Sequence, residues 1–204
     1  LHIINPLRSD YISGKLDVKG IKAIDVACGG GLLAESLHLK GAKMTGVDIS
    51  DVAIHTATLH AEKQGLEIEY LNCEAEDLLP NEKESFDLVT CLEAIEHVPD
   101  PAKLVETCSN LCKPGGTIVF STINRNPKSF LFAIVGAEYI LNLLPKGTHE
   151  YKKFIKPSEL SSMMRNNSLE VVEVIGMSYN PITKNYWLGK DVDVFRESDN
   201  MSRP

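Results

Sequence analysis

Short apolar runs alternate along the chain with stretches in which apolar residues recur at helical spacing. Residues 22–26 predict a strand that ends in a cluster of glycines, and residues 32–40 a helix with Leu32, Leu33, Leu37 and Leu39 near one side. Residues 43–47 predict a second strand. Ser50 or Asp51 can cap a helix over 52–64. Strands are expected at 67–72 and 86–91, a helix at 101–111, a turn at Lys113-Pro114-Gly115-Gly116 and a fifth strand at 117–121. Beyond Thr122 the pattern changes. Residues 130–144 are apolar and read as a helix, 145–149 as a loop, and 157–164 as a helix with Pro157 in its first turn. Two last strands, near 169–174 and 179–188, would close the sheet as a hairpin. Strands spaced by helices predict βαβ units, hence a doubly wound α/β fold with a mainly parallel sheet and an antiparallel end strand. Ligands of such sheets lie beyond the carboxyl ends of the strands, where strand order reverses.

The 204 residues suit one domain, expected over 1–204 with 123–156 as an inserted lid or membrane-associating segment. The composition, 43% hydrophobic and 24% charged, is that of a soluble globular protein. Lys and Arg total 21 against 28 Asp and Glu, and a net charge of -7 argues against a broad nucleic-acid footprint. The five cysteines (Cys28, Cys73, Cys91, Cys108, Cys112) are odd in number and widely spaced, which reads as reduced thiols that serve packing. Cys108 and Cys112 lie one helical turn apart, but no second Cys/His pair completes a zinc site. No secretory signal is visible, and no apolar run reaches the ~20 residues that span a bilayer. The chain opens on Leu1 without an initiator Met and reads as trimmed, so a targeting segment ahead of it is left open.

Chemistry concentrates at the ends of the expected strands. Asp25-Val26-Ala27-Cys28-Gly29-Gly30-Gly31 leaves a strand and enters a helix. Glycine there lets backbone approach a ligand, and the helix start offers free N–H groups to an anion. Seventeen residues beyond Gly31, at the end of the second strand, Asp48 can accept both hydroxyls of a ribose. NAD, flavin and S-adenosylmethionine sites share this much. An acid inside the first strand, Asp25, with Gly29 and Gly31, resembles the acid-x-Gly-x-Gly-x-Gly loop of class I methyltransferases, which seats the amino-acid end of that cofactor. Cys73-Glu74-Ala75-Glu76-Asp77-Leu78 looks like their adenine-amine loop. Cys91-Leu92-Glu93-Ala94-Ile95-Glu96-His97-Val98 and Lys113-Pro114-Gly115-Gly116 complete the ordered set.

A closer likeness runs from about Asn5 to Asp193. The segments Asn5-Pro6-Leu7-Arg8-x-x-Tyr11-Ile12, Phe120-Ser121-Thr122-Ile123-Asn124-Arg125-Asn126, Gly136-Ala137-Glu138-Tyr139-Ile140, Pro145-Lys146-Gly147-Thr148-His149 and Tyr179-Asn180-Pro181-Ile182-Thr183 resemble the O-methyltransferases of ubiquinone biosynthesis. The resemblance implies O-methylation of 2-polyprenyl-6-hydroxyphenol and of 3-demethylubiquinol. It implies S-adenosylmethionine contacts from Arg8, Ala27, Asp48 and, through its backbone, Leu92. Two positions depart from the family pattern: Ala27 stands where Gly is usual, and Leu92 where Met is frequent.

Glu93, Glu96 and His97 match positions that eukaryotic relatives are said to use for magnesium. A divalent ion could hold a catechol-like oxygen and acidify it, and two carboxylates suit that ion better than an imidazole does. The same Glu-His-Val followed by Asp-Pro occurs in metal-free methyltransferases, where the His belongs to the loop or acts as a base, and both readings stand. A phenol of pKa about 10 must lose its proton to attack a methyl sulfonium, and His97 and His149 are the candidate bases. His38, His55 and His60 read as solvated residues of surface helices.

Between Arg125 and Lys156 six basic residues face two acids, a local charge of +4 in an acidic chain. With the apolar residues 130–141 this fits an interfacial element, or equally a lid over an apolar substrate pocket. Expected partners are a polyprenyl phenol or quinol, an anionic membrane surface and other proteins of ubiquinone synthesis, with no nucleic acid. The expected location is the cytoplasmic side of a bacterial inner membrane or the matrix face of the mitochondrial one. Three other readings share part of this pattern. A different class I enzyme, such as a quinone-pathway C-methyltransferase, shares the cofactor loops. An NAD-dependent reductase lacks a hydride-transfer constellation here. A non-catalytic lipid-binding protein would need a blocked cofactor pocket.

Overall fold

The runs read as strands form the parallel part of one eight-stranded sheet in the computed structural model, which describes residues 4–123, 154–180, 183, 185–189 and 195–199, the backbone alone at 123, 179 and 195–199. In chain order the elements are α1 (Asn5–Lys15), β1 (Lys22–Val26), α2 (Leu32–Leu39), β2 (Lys43–Asp48), α3 (Asp51–Gln64), β3 (Glu69–Asn72), a 3-10 turn (Ala75–Leu78), α4 (Leu79–Glu82), β4 (Phe86–Leu92), α5 (Pro101–Leu111), β5 (Cys112–Ile123), α6 (Pro157–Asn166), β6 (Glu173–Asn180), β7 (Asn185–Gly189) and β8 (Phe195–Asp199). The strand order is β3-β2-β1-β4-β5-β8-β6-β7. The first five are parallel, β8 runs antiparallel to both β5 and β6, and β7 is antiparallel to β6. The chain winds outward from β1 to β3 and resumes on the other side of β1 at β4. Strand order therefore reverses between β1 and β4, which puts the ligand crevice at their carboxyl ends.

Alternation along the buried strands builds two cores. Ile24, Val89 and Ile118 join α5 and α6 residues such as Val105 and Leu160 in one cluster. Their neighbours Ala23, Leu88 and Val119 join Ile12 of α1 and Leu37 of α2 in the other. Successive side chains of a strand point to opposite faces, so helices cover both faces of the sheet.

Several expectations are corrected. Residues 113–116 are not a turn before the fifth strand but a bulge within it: Phe86 pairs with Cys112, and Leu88 already with Thr117. The expected closing hairpin exists as β6–β7, about four residues later at its start, but it sits at the sheet's far edge. β8, a strand the sequence did not predict, inserts between it and β5. The helix α1 was also unpredicted. It is fixed by tertiary bonds: Asn5 Nδ2 donates to Leu32 O (2.8 Å) and Ser36 Oγ (2.7 Å) of α2, and the Tyr11 hydroxyl donates to Glu173 of β6. His55 and His60 are exposed as expected, His60 with Nδ1 2.7 Å from the buried Glu35 carboxylate, whereas His38 is half-buried. All five cysteines are free thiols, and Cys91, Cys108 and Cys112 are buried. The expected helix over 130–144, the loop over 145–149 and residues 124–153 of the insertion lie outside the described residues. Among the described residues no helix is long and apolar enough to cross a membrane.

Candidate functional site

The loop between β1 and α2 is built from left-handed backbone. Ala27, Gly29 and Gly31 have φ of 57°, 54° and 78°. Gly31 starts α2 with no side-chain cap, so the first amides of the helix are available to an acceptor. The glycines divide in purpose. A Cβ at Gly29 or Gly30 would meet nothing within 4 Å, so these two face open space where a ligand can approach the backbone. A Cβ at Gly31 would strike the Tyr70 hydroxyl and come within 2.8 Å of its ring carbon Cζ. Gly31 is thus demanded by packing against β3 as well as by its backbone angle, a reason that the sequence did not reveal.

Asp48 closes this loop from the end of β2. Its carboxylate accepts from the amides of Gly29 (2.9 Å) and Ser50 (2.8 Å), and Asn72 Nδ2 donates to its carbonyl (3.0 Å). Beside it opens a cavity of about 350 Å³, whose walls bring together the predicted Ala27, Asp48, Glu74 and Ala75. Glu74 and Ala75 open the 3-10 turn after β3, where the Glu74 amide donates to Asp77 (3.2 Å). Cys73, Glu76 and Val98, from the segments singled out in the sequence, also line it, and sequence reasoning missed Ile49 after β2 and Pro99, Asp100, Lys103 and Leu104 at the start of α5. The available signal was Asp100-Pro101, a helix start directly after the β4 segment; Asp100 Oδ1 caps α5 by accepting from the Lys103 amide (3.1 Å). An acid on one wall, apolar side chains around it and open glycine backbone at its edge suit an adenosine.

On the other side of the β1 and β4 ends lies a second cluster. Asp25 is 4% exposed and accepts the Thr90 hydroxyl at 2.6 Å. Burial pushes its pKa from 3.8 up to about 7; the Thr90 bond and the Arg8 charge pull it down, and Asp48 pushes it up. Arg8, buried on α1, donates to Glu93 Oε1 at 2.6 Å, and Ser121 Oγ donates to the same oxygen at 2.7 Å. Leu92, the half-buried last residue of β4, packs against the α1 and α2 side core. Arg8, Asp25, Leu92 and Glu93 therefore surround the strand ends opposite the cavity, where the amino-acid end of a cofactor whose adenosine filled the cavity would fall.

The magnesium reading does not fit these residues. Glu93 follows β4 in the left-handed region (φ 55°), and its carboxylate is engaged by Arg8 and Ser121. Glu96 is 2% exposed and accepts the Thr122 hydroxyl at 2.9 Å. His97 is exposed in the turn that follows. The three donors do not converge, and among the described residues no group of three acids, histidines or cysteines could hold a metal ion. His149 lies outside the described residues.

A strand-order reversal, a glycine loop open to ligand and a ribose-competent acid after β2 suit a nucleoside cofactor, and the comparisons with known proteins identify the class as the S-adenosylmethionine-dependent methyltransferases of class I. Residues 24–120 match the family model described as a methyltransferase domain. A magnesium protoporphyrin IX methyltransferase from Synechocystis, solved with bound S-adenosylhomocysteine, superposes with a TM-score of 0.69 at 17% identity, over 97% of this chain and 81% of that one. Two relatives are far more similar in sequence, both ubiquinone biosynthesis O-methyltransferases. The one from Marinobacter nauticus is 56% identical over 95% of this chain and 82% of its own, and the one from Pseudomonas syringae 53% over 95% and 84%. The chain belongs to the ubiquinone biosynthesis O-methyltransferases.

Proposed function

We propose that this protein transfers a methyl group from S-adenosylmethionine to a phenolic oxygen of polyprenylated substrates, 2-polyprenyl-6-hydroxyphenol and 3-demethylubiquinol. The observation that carries the reading is the pairing of the Asp48 cavity with the Arg8, Asp25 and Glu93 cluster across the ends of β1 and β4. When bound, the cofactor supplies an electrophilic methyl on sulfonium. Asp48 holds the ribose, the loop of Ala27, Gly29 and Gly31 receives the methionine moiety, and Glu74 and Ala75 border the adenine. Arg8 faces the cofactor's carboxylate and Asp25 its ammonium, while the Leu92 backbone lies along it. His97 or His149 takes the phenol's proton, histidine being the side chain most often used as a general base. Magnesium has no role in this reading, because Glu96 is 2% exposed and accepts the Thr122 hydroxyl, and among the described residues no group of three acids, histidines or cysteines could hold a metal ion. Calorimetric titration with S-adenosylhomocysteine and with NAD tests the cofactor: binding of the first and none of the second is expected, and the reverse would overturn the reading.

The substrate's tail lives in a bilayer, and the same proposal extends to the insertion. Residues 128–156 dock on anionic lipid and admit the prenyl chain, at the inner membrane's cytoplasmic side in a bacterium or its matrix face in a mitochondrion, near other enzymes of the pathway. Each lysine near an anionic surface contributes about 1 kcal/mol, so changing Lys146, Lys152 and Lys153 to Ser should weaken liposome binding roughly a hundredfold. Binding that ignores anionic lipid would leave the segment as a lid only.

A further inference from the structure

Glu93 sits in a conformation that a non-glycine residue adopts only when its surroundings impose it, with φ of 55°. What imposes it is Ser121 on β5. The Glu93 amide donates to Ser121 O (3.0 Å) and Oγ (3.1 Å), and the Ser121 hydroxyl returns a bond to Glu93 Oε1 (2.7 Å). The carboxylate is thereby presented at the mouth of the crevice, with 24% of the side chain exposed. Both of its charged and polar partners, Ser121 and Arg8, use Oε1; among the described residues Oε2 accepts no hydrogen bond. Arg8 meets it through a single nitrogen, not as a two-point fork, and its side chain is only 8% exposed. The same guanidinium also acts on Asp25, so one buried cation serves two acids at the ends of β1 and β4.

We propose that Glu93 is a substrate-binding residue that Arg8 masks in the cofactor-free protein. The cofactor's carboxylate competes with Glu93 for the Arg8 guanidinium. Once Arg8 turns to the cofactor, the Glu93 carboxylate accepts a hydrogen bond from the hydroxyl next to the one that is methylated and holds that ring beside the methyl-transfer edge. A monodentate pair yields to a second carboxylate more readily than a bidentate one would, because less is lost when it opens. Ser121 keeps Glu93 aimed while Arg8 departs. The device makes cofactor binding precede and strengthen phenol binding, and by linkage the phenol strengthens cofactor binding equally. The inference rests on the reading of Arg8 as a cofactor ligand.

The test uses S-adenosylhomocysteine and a short-prenyl, water-soluble catechol, each titrated calorimetrically alone and in the presence of the other. In the parent protein the homocysteine compound should tighten catechol binding by about fivefold or more, the lower edge of common coupling. Glu93→Gln should bind S-adenosylhomocysteine more tightly, bind the catechol about tenfold more weakly, and lose the coupling. Opposite signs for the two ligands are what a merely structural Glu93 would not give. Weakening of both ligands in Glu93→Gln, or parent catechol affinity that ignores S-adenosylhomocysteine, overturns the proposal; the second measurement needs no variant to fold. Arg8→Gln should weaken S-adenosylhomocysteine binding. If it does not, the latch falls, while the proposed methyl transfer is judged separately by turnover.

Discussion

Asp25 should make both stability and cofactor affinity depend on pH in a window set by its burial. The perturbation is Asp25→Asn, which keeps the side chain's shape and leaves an oxygen to accept the Thr90 hydroxyl, 2.6 Å away in the parent. In the folded protein burial lifts the carboxyl pKa to about 7, against 3.8 ordinarily. The raised value means that the native state holds the proton more firmly than the unfolded chain does. Its contribution is fully present below about pH 4, is lost as pH rises, and is gone above about pH 7. About three pKa units correspond to about 4 kcal/mol. Urea unfolding of parent and variant across that range is the assay. The stability difference in favour of Asp25→Asn should grow with pH up to about 7 and then level off. The cofactor's ammonium, brought against Asp25, should expel the proton, so S-adenosylhomocysteine should bind the parent about tenfold more tightly at about pH 8 than at about pH 6, and Asp25→Asn should flatten that dependence. A stability difference that is independent of pH would refute the argument that burial governs this carboxyl.

Asp48→Ala should abolish measurable S-adenosylhomocysteine binding in calorimetry while the protein still unfolds cooperatively, because two hydrogen bonds to a charged acceptor are worth about 1.5–3 kcal/mol each; unchanged affinity would remove Asp48 from the site. Ala27 holds a φ of 57° that glycine adopts without strain. Ala27→Gly should therefore raise stability in denaturant unfolding by about 0.5–1 kcal/mol, and it should not weaken S-adenosylhomocysteine binding.

Strands β1, β2 and β4 were legible because each is a short run rich in apolar residues that ends at a glycine loop or an acid. The segments that escaped have little pattern of their own. Among the residues of α1, only Arg8, Ser9 and Ile12 are buried, and the helix is defined by bonds to Leu32, Ser36 and Glu173 that are far away in sequence. β8 runs Phe-Arg-Glu-Ser-Asp, with no alternation to mark it, and gains its place from pairing on both sides. The site shows the same division. Asp48, Ala27, Glu74 and Ala75 were readable from their positions after strands, and they do line one cavity. The likeness to eukaryotic relatives implied a shared ion at Glu93, Glu96 and His97, but Glu93 is bonded to Arg8 and Ser121, and Glu96 to Thr122. Thr90 beneath Asp25 and Ser121 beneath Glu93 lie 65 and 28 residues from their partners, and no local pattern announces them.

The most direct test of the account is the position of the transferred methyl. The protein would be incubated with S-adenosylmethionine carrying a trideuterated methyl and a short-prenyl 6-hydroxyphenol or 3-demethylubiquinol, and the product resolved by mass and NMR. The account predicts one labelled methyl per substrate molecule, attached to oxygen, and loss of that product in Asp48→Ala. A methyl on ring carbon, or no transfer to either phenol by a protein that binds S-adenosylhomocysteine, would contradict it.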